Sequence, residues 1–142
     1  MKQLFTKTIP VLFLLSLIFS SCDKENPANP ANPGTATFWI NYKYTPKTPP
    51  QTEQSGSGNI TNGQTGVMFH LDPYLHGSGI CNDGKWSYKV QAPAGNTWVA
   101  SQDPKTGKVD FITGTPGTYT ITITYTCPDG TSYSASISIT VA

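Results

Sequence analysis

Thr118-Tyr119-Thr120-Ile121-Thr122-Ile123-Thr124-Tyr125-Thr126-Cys127 is followed by Pro128-Asp129-Gly130, and then by Ser132-Tyr133-Ser134-Ala135-Ser136-Ile137-Ser138-Ile139-Thr140-Val141. In both runs every second residue is apolar and the residues between are hydroxylated, the period of a strand with one buried face. The Pro-Asp-Gly between them supplies turn chemistry. Two such strands form a long hairpin whose apolar side must be covered by a second layer. The chain is therefore expected to be all-β and two-layered.

Five shorter stretches upstream carry the same alternation. Phe38, Ile40, Tyr42 and Tyr44 stand opposite Trp39, Asn41 and Lys43. Val67, Phe69 and Leu71 stand opposite Met68 and His70. Trp86, Tyr88 and Val90 follow the turn signal Asn82-Asp83-Gly84. Trp98 with Ala100, and Val109 with Phe111, mark two more. Seven short strands separated by turns predict an immunoglobulin-like antiparallel β-sandwich of about seven strands over residues 35–142. One segment resists the scheme. Thr45 to Gly66 holds three prolines, four glycines and almost no apolar residue, too long for a structureless loop in a compact domain. Either the first strand is an edge strand and this segment crosses between sheets, or it hides a short strand near Ile60. A surface loop here is also a place where binding could reside.

The closing third carries a resemblance. Pro116-Gly117-Thr118-Tyr119-Thr120-Ile121-Thr122-Ile123, Asp129-Gly130 and Ser136-Ile137-Ser138-Ile139-Thr140-Val141 resemble the carboxy-terminal half of a PKD-related or bacterial immunoglobulin-like domain. The resemblance covers about 45 residues of the sequence. It implies that Tyr119 opens the penultimate strand and ties a tyrosine corner through its hydroxyl. The segment around Trp98 is similar to the family's mid-domain tryptophan strand, although the Trp-x-Phe-Gly-Asp-Gly stretch of true PKD domains is missing.

At the other end, Lys2 and Lys7 flank a basic start, and Ile9 to Phe19 is nearly all apolar. This is the layout of a secretory signal peptide, too short to span a bilayer as a helix. Phe19-Ser20-Ser21-Cys22 resembles the lipobox of bacterial lipoproteins. The resemblance implies a signal peptide over 1–21 and lipidation of Cys22, with acyl chains that anchor the mature chain in a membrane. Asp23-Lys24-Glu25 resembles the acidic export tags of surface lipoproteins. An acidic residue in that place is also an inner-membrane retention signal in enteric-type sorting. The extension of the match to Lys24 and Glu25 favours the outer membrane, lipid-anchored, with the domain at the cell surface. Residues 22–34 contain Asn26-Pro27-Ala28, Asn29-Pro30-Ala31 and Asn32-Pro33-Gly34. They read as the lipidated cysteine and an Asn/Pro-rich tether able to reach roughly 35 Å when extended.

Removal of residues 1–21 leaves 121, enough for one domain, with seven lysines against eight acids and no arginine. Such a balance offers no basic surface for nucleic acid. Without arginine, bidentate recognition of phosphate is also a poor expectation. Lipidation consumes one of the three cysteines. The remaining pair, Cys81 and Cys127, is expected to form a disulfide in an oxidising compartment. It would bridge the two sheets or, because Cys127 sits beside a turn, tie a sheet edge or loop.

Chemistry is harder to place. His70, Asp72, His76 and Cys81 fall close together and include zinc-ligand types. Their spacing fits no motif, and Pro73, Gly77 and Gly79 interrupt any regular element between them, so the expectation is no metal and no cofactor. Glu53, Asp72, Asp83, Asp103, Asp110 and Asp129 offer no convincing glycosidase pair. Asp83 and Asp129 precede glycine and read as turn residues. No calcium-binding Asp-rich loop is present. The expectation is a domain without catalytic residues. Aromatic side chains remain, since exposed rings serve sugar and protein ligands alike. Trp86 and Trp98 are assigned to the core. Trp39, opposite Phe38 and Ile40, and Tyr74, in a Pro/Gly-rich loop, are the candidate ligand-binding residues. A glycan or a protein is the expected partner, with a purely structural spacer or assembly subunit as the alternative.

Overall fold

The computed structural model describes residues 35–142. The segments read above as signal peptide and tether, with Cys22, lie outside the described residues. Nine strands follow in order: β1 Thr37–Tyr44, β2 Gln54–Ser57, β3 Ile60–Gly63, β4 Met68–His76, β5 Lys85–Gln91, β6 Trp98–Gln102, β7 Val109–Thr113, β8 Gly117–Thr126 and β9 Ser132–Val141. They make a five-stranded sheet, β2-β1-β4-β7-β6, and a four-stranded sheet, β3-β9-β8-β5. Pairing is antiparallel except between β3 and β9, which run parallel.

Setting β2 and β3 aside leaves β1-β4-β7-β6 facing β9-β8-β5. That is first-second-fifth-fourth against seventh-sixth-third, the strand order of a constant-type immunoglobulin sandwich. The expected seven strands are thus present, and two more come from the segment 45–66. The short strand near Ile60 is β3. The passage from β2 to β3 crosses between sheets. β1 is not an edge strand, because β2 pairs along its outer side from Asn41↔Ser57 to Tyr44↔Gln54.

One face of each sheet meets in a single core. Phe69, Phe111, Tyr119, Ile121, Ile123 and Ile139 are fully inaccessible there. The β8–β9 hairpin behaves as its alternation requires, pairing without a register break from Gly117↔Val141 to Thr126↔Ser132. Its outer face is a ladder of hydroxyl pairs: Thr118–Thr140, Thr120–Ser138, Thr122–Ser136 and Thr124–Ser134, at 2.8–3.2 Å. Trp86 of β5 is half-buried against Tyr125, with ring centroids 4.7 Å apart. Trp98, assigned to the core on sequence grounds, is 38% exposed. It sits at the start of β6, the last strand of its sheet, where only β7 lies beside it.

A second, smaller cluster gathers Tyr125, Cys127 and Tyr133 with Ile80, Cys81 and Trp86. Cys81 and Cys127 are joined by a disulfide, with α-carbons 5.9 Å apart. The bond ties the loop between β4 and β5 to the end of β8, the loop option rather than a bridge through the middle of the sandwich. Gly84 lies under Tyr125, where a Cβ would collide with the ring. The Tyr125 hydroxyl accepts the Gly84 N–H at 2.9 Å and donates to the Cys81 carbonyl at 3.0 Å.

Candidate functional site

Strand period places every second residue of β1 and β4 on the outer face of the five-stranded sheet. Because β1 and β4 pair Trp39↔Tyr74, Asn41↔Asp72 and Lys43↔His70, these six side chains stand in facing rows. Tyr74 therefore belongs to a strand, not to the loop expected from Pro73, Gly77 and Gly79. Past Leu71, β4 is no longer paired with β7, so Pro73 lies where the strand has a single neighbour and a missing N–H is tolerated.

Trp39 and Tyr74 stack on one another, with centroids 4.2 Å apart and planes 26° apart, and they remain 38% and 45% exposed. Stacking takes up one face of each ring. The His76 ring lies 6.2 Å beyond Tyr74. The Trp39 Nε1–H donates to Asn41 Oδ1 at 3.1 Å, which fixes the indole edge.

Asn41 also borders an open depression of about 670 Å³, whose wall includes Lys43, His70, Asp72, Lys108 and Asp110. Two ion pairs and a His–Asp hydrogen bond involve these residues, with Glu53 standing outside the wall. Lys43 Nζ lies 3.2 Å from Glu53, Lys108 Nζ 3.2 Å from Asp72, and His70 Nδ1 2.6 Å from Asp110, each side chain about half-exposed. Among the described residues these are all the ion pairs. The remaining acids have other places. Asp103 accepts from the Lys105 N–H and the Thr106 hydroxyl, and Asp129 from the Thr131 N–H. The backbone N–H groups of Lys105 and Thr131 hold those two carboxyls below the usual carboxylate range, as turn residues.

The other residues singled out from the sequence fall elsewhere. Tyr119 is buried at the start of β8, and its hydroxyl donates to the Thr115 carbonyl at 2.8 Å while accepting from Asn96 Nδ2 at 3.0 Å. Cys81 is disulfide-bonded and His70 faces Asp110. Among the described residues no three His, Cys, Asp or Glu side chains converge as metal ligands would.

Sequence reasoning found the two aromatic residues separately and missed that they stack. It also missed Asn41, Lys43, His70, Asp72, Lys108 and Asp110 as neighbours. The available signal was the contrast between outer faces. On β8 and β9 it is hydroxyl-bearing throughout, whereas on β1 and β4 it carries Trp, Asn, Lys, His, Asp and Tyr. No known protein family, curated protein or solved structure matches the chain.

Proposed function

We propose that the chain is a lipoprotein of the outer membrane, anchored through an acylated Cys22, whose PKD-related immunoglobulin-like domain binds a glycan at the cell surface without altering it. The observation that carries the ligand reading is the exposed Trp39–Tyr74 stack beside a polar depression. It supplies apolar area for a sugar face next to hydrogen-bonding groups for its hydroxyls. Neither ring is needed to close the core, which lies on the opposite face of the sheet. Asp72 and Asp110 do not suit hydrolysis. Both are half-exposed, Asp72 beside the Lys108 ammonium and Asp110 hydrogen-bonded to His70, whereas the acid of a glycosidase sits in apolar surroundings.

The test is a glycan array probed with the full chain, purified in a non-glycosidic detergent. Trp39→Ala and Tyr74→Ala should each weaken a hit by more than about 2 kcal/mol, roughly thirtyfold, as truncation of a central aromatic anchor does. A wild-type chain that binds no sugar would remove the glycan reading and favour a protein partner or a spacer role. For the anchor, Cys22→Ser should leave the protein soluble or unprocessed. A mutant that is cleaved and still fractionates tightly with membranes sinks the lipoprotein reading, and a domain that resists protease on intact cells sinks the surface placement.

A further inference from the structure

Two ion pairs and a His–Asp hydrogen bond on one half-exposed face are poorly explained by stability, since exposed pairs contribute only about 0–1 kcal/mol each. What they do supply is a set of donors and acceptors already held in place. An ammonium has three N–H groups and a carboxylate about four lone-pair sites, so each partner keeps hydrogen-bonding capacity after pairing. Mutual pairing also restrains these long side chains before a ligand arrives, which lowers the ordering cost of binding.

Each basic side chain at the depression has an acidic partner. Lys43 stands by Glu53, His70 by Asp110, and Lys108 by Asp72. A uronate or sulfate would meet the carboxylates of Asp72 and Asp110, and an amino sugar would meet Lys43 and Lys108, so either charge is opposed somewhere. Arginine, the best bidentate partner for an anionic sugar, is absent from the whole sequence. A neutral hydroxyl both donates and accepts, and can use either member of each pair.

Extent is the second observation. From Trp39 to Lys43 along β1 is about 13 Å by the rise of a strand. Asn41 lies midway, bonded to Trp39 on one side and bordering the depression on the other. A single sugar ring cannot touch both ends of that distance.

On the glycan reading above, we infer that the ligand is a neutral oligosaccharide which lies with one ring on the Trp39–Tyr74 stack and continues into the depression between Lys43, His70, Asp72, Lys108 and Asp110. The test is calorimetric titration of the full chain in a non-glycosidic detergent. The probes are gluco-, manno- and xylo-oligosaccharides of increasing length, with oligogalacturonate and chitosan oligosaccharides as the charged counterparts. One neutral series should gain about tenfold or more in affinity beyond the monosaccharide, and the charged series should bind more weakly. The charge-balanced double variant Asp72→Ala/Lys108→Ala should lose that length-dependent gain, with its thermal midpoint checked against wild type. A full gain in the double variant, or tighter binding of a charged series, overturns the inference. If that binding is still abolished by Trp39→Ala, the glycan reading stands. If the wild-type chain binds no series, both fall together.

Discussion

Tyr119 concentrates several demands on one atom. Its ring fills the core against Phe111, with centroids 5.4 Å apart, so its hydroxyl is carried inward and must find partners there. It finds the Thr115 carbonyl and the Asn96 amide. Asn96 Nδ2 also donates to the Pro116 carbonyl at 2.8 Å, so one phenol organises both loops that precede and flank β8. Tyr119→Phe keeps the ring and removes these hydrogen bonds, while the Thr115 carbonyl keeps the Thr113 hydroxyl and the Asn96 amide keeps the Pro116 carbonyl, so it should cost about 0.5–1.5 kcal/mol. Urea unfolding should show a lower midpoint with an unchanged slope, and a midpoint equal to wild type would show that the hydroxyl is not holding the corner. At this scale, legibility followed distance in sequence. Trp39 could be placed outside because Phe38 and Ile40 flank it in a period-two run. The partnership of His70 with Asp110 spans 40 positions and left no local trace. Tyr74 was hidden by its neighbour Pro73, which signals a break on any strand interior but not on the singly paired end of β4.

Among the elements, the turn between β6 and β7 shows how a loop can be part of the core. The Asp103 backbone carbonyl accepts the Gly107 N–H at 2.8 Å, and Gly107 has φ +74° and lies buried against the Trp86 ring. Gly95, with φ +82°, has open space around it. Alanine at either position meets the left-handed backbone penalty of about 1–2 kcal/mol. At Gly107 its methyl also drives into Trp86, an overpacking that adds about 1–3 kcal/mol. Gly107→Ala should therefore unfold at a clearly lower urea concentration than Gly95→Ala, and coincident midpoints would show that the turn moves freely off the tryptophan. The hairpin β8–β9 was legible because ten-residue alternation has no other economical reading. β2 was not, since Gln54-Ser55-Gly56-Ser57 has no apolar side and is fully exposed. What orders it is the ladder to β1, a tertiary fact. β3 buries only Ile60 and Gly63 and follows β9 in parallel, and neither feature produces a pattern in four residues.

For the molecule as a whole, the disulfide sets the scale of stability. A link across 46 positions restricts the unfolded chain by about 4 kcal/mol in the chain-entropy model, a large part of the 5–15 kcal/mol typical of a domain. Cys81→Ala/Cys127→Ala should fold to the same sandwich and lose stability of that order in urea. Mass spectrometry of non-reduced, alkylated protein from cells should find neither thiol modified. Two alkylated thiols would show that the pair is not oxidised in its native compartment. The register Thr37↔His76 and Trp39↔Tyr74 has a different kind of consequence. The amino-terminal end of β1 and the aromatic stack share one corner of the sandwich. On the anchor and ligand proposed above, a cell held through residue 22 and gripping a fixed ligand at Trp39 would transmit traction through the stretch Thr37–Trp39 and the adjoining rungs of β4. The β8–β9 hairpin belongs to the other sheet and lies off that line of force. On that reading, drag would load the rungs between β1 and β4 before it reached the pairs of the other sheet.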